Sequence, residues 1–435
     1  MLWLIQLGVR LAMAFHASGV NTVSGDQRGY WLLGHHFIEY LVNGNCERLP
    51  LYPGFVYVIT AVCGLFSDAE SVNLLVLFIA QHLLMMGGVH LLSRSAAILS
   101  GQHRMGYGVS LAVLSCYYPL LLYPNGVLTE TLFIFLSVSG FFVLVRILHD
   151  LASFSPKALC RGFALSGGLM GGAALVRPTI LLFPFFAVAV LVVSKRSLVK
   201  PALQFLVVFC LVLAPWFVRN TVIYGAVAYT SVAGANLHKV NKFEKPLTYS
   251  GRMIEKRRSR PGVEHLKKAN FKRMSNDLPS FFNRKDVERD NALMAQALKN
   301  IRWHADYEFA AFFKEKLWRL TGALFQSAST EYIVANLNFP GIPLVVYHGF
   351  HVLLIVLAFV QLLSERRNSA LSERLFMAYI FYGLVTSVLT PVCPRMLLPT
   401  VVILICFALK WVVKRPFVQR LSALFNGALT GTEAD

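Results

Sequence analysis

Apolar and polar positions alternate along this chain in long blocks, hydrophobic runs broken by short charged turns. Runs near the roughly 20 residues that a helix needs to cross a bilayer fall at 2–19, 72–92, 107–123, 131–149, 162–176, 179–194, 201–218, 342–363, 375–391 and 396–413. Ten spanning helices are predicted. Segment 54–66 is also apolar, but it is short for a crossing and runs into Ser67, Asp68 and Glu70. It is expected to lie at the interface or to re-enter one face.

The interval 219–340 differs from the rest. Its first part, 242–283, is polar and crowded with charge (Glu255, Lys256, Arg257, Arg258, Arg260), a composition that cannot bury enough apolar surface to order itself. Farther on, Val287, Met294, Leu298 and Ile301 recur at helical spacing, followed by Phe309, Phe312, Phe313, Leu317 and Leu320. That periodicity predicts one or two amphipathic helices on the membrane surface. The expected organisation is a catalytic transmembrane module at 1–218 with two outer loops, a large periplasmic loop at 219–340, and C-terminal membrane helices with a cytoplasmic tail at 341–435.

Composition sharpens the class. In 435 residues, 56% are hydrophobic and 14% charged, which excludes an ordinary soluble domain and leaves an all-α, polytopic membrane protein. The net charge of +19 fits loops anchored against anionic lipid, and no motif spacing points to nucleic acid. If 54–66 does not cross, then Arg94 and Arg104, Lys157 and Arg161, Lys195, Arg196 and Lys200, Arg366, Arg367 and Arg374, and Lys410, Lys414 and Arg415 share one face. The positive-inside rule makes that face cytoplasmic, with both termini inside. The 219–340 loop carries 21 Lys and Arg against 11 Asp and Glu, but long loops translocate regardless of charge.

Seven cysteines are scattered without metal or disulfide spacing. Cys46 and Cys393 fall in loops of one side, where either a bridge or two free thiols is open. Arg10 sits inside the first hydrophobic run, and no small-residue cleavage site follows, so a retained first helix is expected and not a signal peptide.

Candidate chemistry gathers at the predicted outer face. Asp26, between Gly25 and Gln27, has no cation adjacent in sequence; it suits a general base and equally an N-cap for the helix that follows. Glu130 stands at the mouth of an apolar run, where the plainer account is a helix-capping carboxylate. Arg48, Arg177, Arg219 and Arg395 each lie close to a proline at the outer end of a run. Singly each reads as a snorkelling anchor; four beside two carboxylates suggest a phosphate site. His35, His36 and Glu39 form a polar helix face without metal-ligand spacing.

The ordered set of motifs resembles a family. Asp26…Tyr30, Arg48-Leu49-Pro50-Leu51-Tyr52-Pro53, Asn125…Glu130, Arg177-Pro178, Ala214-Pro215-Trp216…Arg219-Asn220, Gly234-Ala235-Asn236 and Arg395…Pro399 are similar to those of the polyprenyl-phosphate-sugar-dependent glycosyltransferases of the C fold. More narrowly, the set resembles the bacterial relatives of the protein O-mannosyltransferases and of the lipid A aminoarabinose transferase. The resemblance implies Asp26 and Glu130 as catalytic residues, Arg48, Arg219 and Arg395 on the donor phosphate, and Tyr30, Tyr52 and Arg177 on substrate. Glu130 would orient the acceptor, or hold a divalent cation in members that need one. Two departures stand out: Gln27 follows the first Asp where many members have Glu, and Met396 follows Arg395 where they have Tyr.

The implied reaction moves a sugar from a polyprenyl-phosphate donor to an acceptor hydroxyl, with inversion, on the periplasmic side of the bacterial inner membrane. The implied partners are that donor, an envelope glycan, lipid or protein acceptor, and membrane lipids. Two rivals stay open at this stage. A lipid-linked sugar transporter or flippase would need ionisable residues at mid-span; a surface-polysaccharide polymerase or ligase would use a lipid diphosphate donor. The basic 239–319 stretch fits either an anionic acceptor or lipid headgroups.

Overall fold

The computed structural model describes residues 2–20, 23, 26–44, 46–67, 69–225, 227–241, 284–307, 309–325, 344–364, 370–389 and 394–420. Its long elements are helices, and no strand occurs among the described residues. In chain order they are α1 (Leu2–Val20), α2 (Asp26–His35), α3 (Phe37–Asn43), α4 (Leu51–Cys63), α5 (Glu70–Ser100), α6 (His103–Ser115), α7 (Tyr118–Leu122), α8 (Glu130–His149), α9 (Pro156–Val176), α10 (Phe183–Ser194), α11 (Val199–Tyr224) and α12 (Ala233–Val240). Then come α13 (Arg284–Tyr307), α14 (Phe309–Phe325), α15 (Leu344–Ser364), α16 (Leu371–Leu389) and α17 (Pro394–Val413). The charged stretch 242–283 and Cys393 lie outside the described residues.

The chain is a multi-pass membrane protein. Among the described residues, α5, α8, α9 and the Arg196–Tyr224 stretch containing α11 are each long and apolar enough to cross a bilayer. A fifth crossing forms if His103–Ser115 and Tyr118–Asn125, bent by 67°, count as one. The break falls at Tyr117, whose backbone is extended (φ −73°, ψ 106°), and Pro119 in the first turn of α7 lacks the N–H that would continue the ladder from α6. The remaining predicted spans coincide with α1, α10, α15, α16 and α17, which fall short of the length or apolarity of a crossing in their described residues. The sixth is shortened because Pro178 starts a separate 3₁₀ turn, Pro178–Ile180, before α10. Helix α4 has only 13 residues, about 20 Å, against a hydrocarbon core of about 30 Å.

Packing centres on α5, which touches α1, α4, α6, α8 and α17. Helix α9 lies between α8 and α11, and two glycines set how closely α11 approaches. A Cβ on Gly167 would sit 2.2 Å from the Phe205 carbonyl oxygen, and one on Gly171 would sit 2.8 Å from the Val212 Cβ. Small residues of this kind let helix backbones approach inside a membrane, where dispersion contacts drive association. At the other side, α16 and α17 are tied by a buried Lys410–Glu373 ion pair, and the Tyr382 hydroxyl donates to the Thr179 carbonyl next to α10.

The amphipathic helices are pinned to the end of the bundle. Both Asp290 carboxylate oxygens on α13 accept from the Gly234 and Ala235 N–H groups, at 2.9 and 2.8 Å, capping α12. Burial raises the Asp290 pKa, and the N–H bonds it accepts oppose that rise. Lys316 on α14 is buried and donates to the Asn241 side chain at 2.9 Å.

Candidate functional site

Asp26 opens α2, in the first turn, where a carboxylate complements the unpaired N–H groups of a helix start. The cation absent from its sequence neighbourhood arrives from 22 residues on: Arg48 Nη2 stands 3.2 Å from Asp26 Oδ1. The Arg48 guanidinium also lies over the Tyr30 ring, 4.2 Å from its centroid, and Tyr30 meets Tyr52 edge-on at 5.2 Å. Gly29 makes the approach feasible, because a Cβ there would fall 2.8 Å from Arg48 Nη2. The Arg48 side chain is 15% exposed and that of Asp26 52%, so a nearly covered cation is reached past an open carboxylate. Burial opposes the charge on Arg48, but the Tyr30 phenol, Asp26 and Glu47 outweigh it and hold its pKa above the usual arginine value.

Buried hydrogen bonds fix the loop that carries this pair. The Tyr40 hydroxyl donates to the Arg48 carbonyl, the Cys46 N–H to the Tyr224 hydroxyl at 2.7 Å, and the Thr230 hydroxyl to the Glu47 carbonyl at 3.2 Å. Gln27 is buried and accepts from the Val127 N–H at 3.0 Å. That bond stitches the residue after Asp26 to the segment that precedes Glu130. Behind it, Gln81 on α5 accepts from the Tyr52 hydroxyl at 3.1 Å and donates to the Pro124 and Gly126 carbonyls. His82 bonds the Asn125 side chain at 2.9 Å, and Arg10 donates to the Leu120 carbonyl of the bent segment at 3.0 Å.

Glu130 and Arg177 make a second, separate pair. Arg177 Nη1 donates to Glu130 Oε1 at 2.8 Å, with side-chain exposures of 8% and 0%. As placed, Glu130 ties the start of α8 to the end of α9; touching an acceptor would require that bridge to open. Tyr52, expected on substrate, is fully buried beneath Tyr30.

Arg219 has other partners than a phosphate. Its Nε donates to the Leu41 carbonyl at 2.9 Å, Nη2 to the Tyr40 and Gly44 carbonyls, and Nη1 to the Asn220 side chain at 2.8 Å. It stacks over Trp216, 4.8 Å from the ring centroid. The guanidinium thus closes the carbonyl end of α3, where unpaired C=O groups need donors. Arg395 lies in the first turn of α17, and its side chain lies outside the described residues.

The roles of Gln27, Gln81, His82 and Asp290 were not anticipated from sequence. For Gln81 and His82 a signal existed, two polar residues inside an otherwise apolar run, a costly position unless they bind something. Asp290 had none, because its partners are backbone amides 55 residues away.

Among the described residues no group of three His, Cys, Asp or Glu side chains that could hold a metal ion is assembled, and Asp26 and Glu130 each have an arginine as ion-pair partner.

No family model matches the sequence, and no curated protein does either. Solved structures do match. The oligosaccharyltransferase of Archaeoglobus fulgidus, in a complex with Zn and sulfate, aligns over 98% of this chain with a TM-score of 0.53 at 11% identity. The same organism's AglB, with an inhibitory peptide and a dolichol-phosphate, aligns over 99% with a TM-score of 0.50 at 13% identity. The chain spans about half the length of those proteins, 51% and 52%. ArnT from Cupriavidus metallidurans bound to undecaprenyl phosphate aligns over 97% of this chain and 78% of its own at 15% identity, with a TM-score of 0.42.

Proposed function

The chain shares the helical C fold of lipid-linked glycosyltransferases, and from that premise we propose that it transfers a sugar from a polyprenyl-phosphate donor to an acceptor hydroxyl. The observation that carries the reading is the Asp26–Arg48–Tyr30 cluster, a reachable carboxylate beside a shielded guanidinium at one end of a membrane bundle. The dolichol-phosphate bound by the archaeal protein of the same fold supports a lipid phosphate as the ligand class. Arg48 takes the donor phosphate through paired N–H bonds. Asp26 removes the proton from the acceptor hydroxyl as its oxygen attacks the anomeric carbon from the face opposite the phosphate.

The bond from the anomeric carbon to the phosphate oxygen breaks, and the lipid leaves as a phosphate monoester. The configuration inverts, and the proton resides on Asp26. A phosphate leaves readily, so stabilising the charge that grows on its oxygens is the protein's main task. Arg219 holds the end of α3, and Glu130 with Arg177 sets the mouth between α8 and α9. The active face is periplasmic in a bacterial inner membrane, and the acceptor is an envelope glycan, lipid or protein.

The test compares lipid and glycan pools by mass spectrometry in cells with and without the protein, then complements with variants. Asp26→Asn should lower turnover by about 10²–10⁴-fold, the usual weight of a general base, with donor binding retained. Arg48→Ala should raise the donor KM at least tenfold. A folded Asp26→Asn protein with wild-type turnover would remove the proposed base.

A further inference from the structure

The stretch 117–129, between the break in the α6–α7 span and the start of α8, has little regular structure of its own. It holds the five residues of α7 and a 3₁₀ turn at Tyr123–Asn125, yet Tyr117, Leu120, Asn125, Val127 and Thr129 are all buried. Backbone of this kind inside a membrane bundle needs hydrogen-bond partners from other elements. For the Leu120 carbonyl the helical partner would be the N–H of residue 124, but Pro124 has none. Arg10 Nη1 supplies the donor, at 3.0 Å. The next two carbonyls, of Leu121 and Leu122, accept from the Asn125 side-chain amide at 2.9 and 3.3 Å. His82 joins the two donors, with Nε2 2.9 Å from Asn125 Oδ1 and Nδ1 3.4 Å from Arg10 Nη1.

Stability does not account for Arg10. It stands in the middle of α1 and is fully buried. Its Nε and Nη2 have no hydrogen-bond partner, and among the described residues no carboxylate pairs with it. A charge within a span is costly, and one bond to a carbonyl does not offset that cost. What the bond does is fix the stretch. Farther along it, the Val127 N–H donates to the side chain of Gln27, the residue after Asp26, and the stretch then runs directly into Glu130 at the start of α8. The backbone around Arg48 hangs on other supports, the hydroxyls of Tyr40, Tyr224 and Thr230.

We infer that Arg10 is a positioning residue for the transfer reaction: it clamps the broken α6–α7 span so that Gln27 holds Asp26 in register with the acceptor. The inference rests on Asp26 being the base and adds a residue outside the Asp26–Arg48 cluster. It also divides the site, because Arg10 governs the carboxylate and leaves the guanidinium of Arg48 in place.

The test compares wild type with Arg10→Met, which keeps a long unbranched side chain without the charge, and with Arg10→Lys, which keeps a donor for the Leu120 carbonyl. In cells, the readout is formation of the glycosylated product that disappears when the protein is absent, per molecule of protein. In lipid nanodiscs, the readouts are farnesyl phosphate affinity, the thermal midpoint and hydrogen exchange at the Val127 amide. Arg10→Met should lower product formation about 10²-fold, the cost of a displacement of about 1 Å at a reacting group. Its farnesyl phosphate affinity should be unchanged and its midpoint should match or exceed that of wild type, since a buried charge has gone. Val127 exchange should quicken, because the partner of that amide is no longer held. Arg10→Lys should restore most of the rate and the slow exchange.

Arg10→Met at the wild-type rate overturns the inference, as does Val127 exchange that ignores the substitution. A midpoint that falls together with the rate overturns it too, because Arg10 would then be a structural clamp alone. So does a loss of farnesyl phosphate affinity as large as the loss of rate. Failure of the transfer reading is read separately, as a folded Asp26→Asn protein with wild-type product formation.

Discussion

Breaking the Glu130–Arg177 bridge gives a sharp test of how the bundle is held. At 2.8 Å and an effective dielectric of 20, two unit charges attract by about 6 kcal/mol. Desolvation offsets much of that gain, so the intact pair adds little net stability. Removing one partner is different, because at exposures of 0% and 8% the charge left behind is buried without its ion-pair partner, which costs about 3–5 kcal/mol. Arg177→Met and Glu130→Gln should each lower stability by that amount, measured by thermal unfolding of the detergent-solubilised protein followed by helical circular dichroism. The double variant leaves no charge stranded and should lose at least 2 kcal/mol less than the sum of the singles, roughly half of one stranded-charge cost. Additive singles would refute the claim that the two residues depend on each other.

Two further substitutions probe the scaffold around the cluster. Arg219→Ala removes the donors that close α3 and should cost on the order of 3 kcal/mol, since hydrogen bonds from a charged donor are worth about 1.5–3 kcal/mol each; Arg219→Lys should recover little, because an ammonium cannot span the same fork of acceptors. An unchanged unfolding midpoint would return Arg219 to the phosphate. Gln81→Leu removes the amide that donates to the Pro124 and Gly126 carbonyls and accepts from the Tyr52 hydroxyl, with an expected loss of about 3 kcal/mol; a midpoint within error of wild type would show that these three bonds add no net stability.

The sequence made the membrane class legible, because apolar runs of spanning length have few alternative explanations, and it marked the stretch 24–53 as a place where charge and proline concentrate. It could not show which charges meet. Arg48 reaches Asp26 because α2 turns back on the stretch before α4 and Gly29 leaves room, a tertiary event without local signature. By periodicity alone Arg219 and Arg48 were alike, each an arginine near a proline at the end of an apolar run. What separates them is the carbonyl end of a seven-residue helix, too short for its hydrophobic pattern to be recognised, which takes Nε and Nη2 of the Arg219 guanidinium while Asn220 takes Nη1. The same reasoning explains Gln27: an amide there can accept from Val127 N–H without carrying a charge into a buried position. A carboxylate at that position would need a cation beside it, so an amide there keeps Arg48 committed to Asp26 and leaves one carboxylate at the mouth of the cluster.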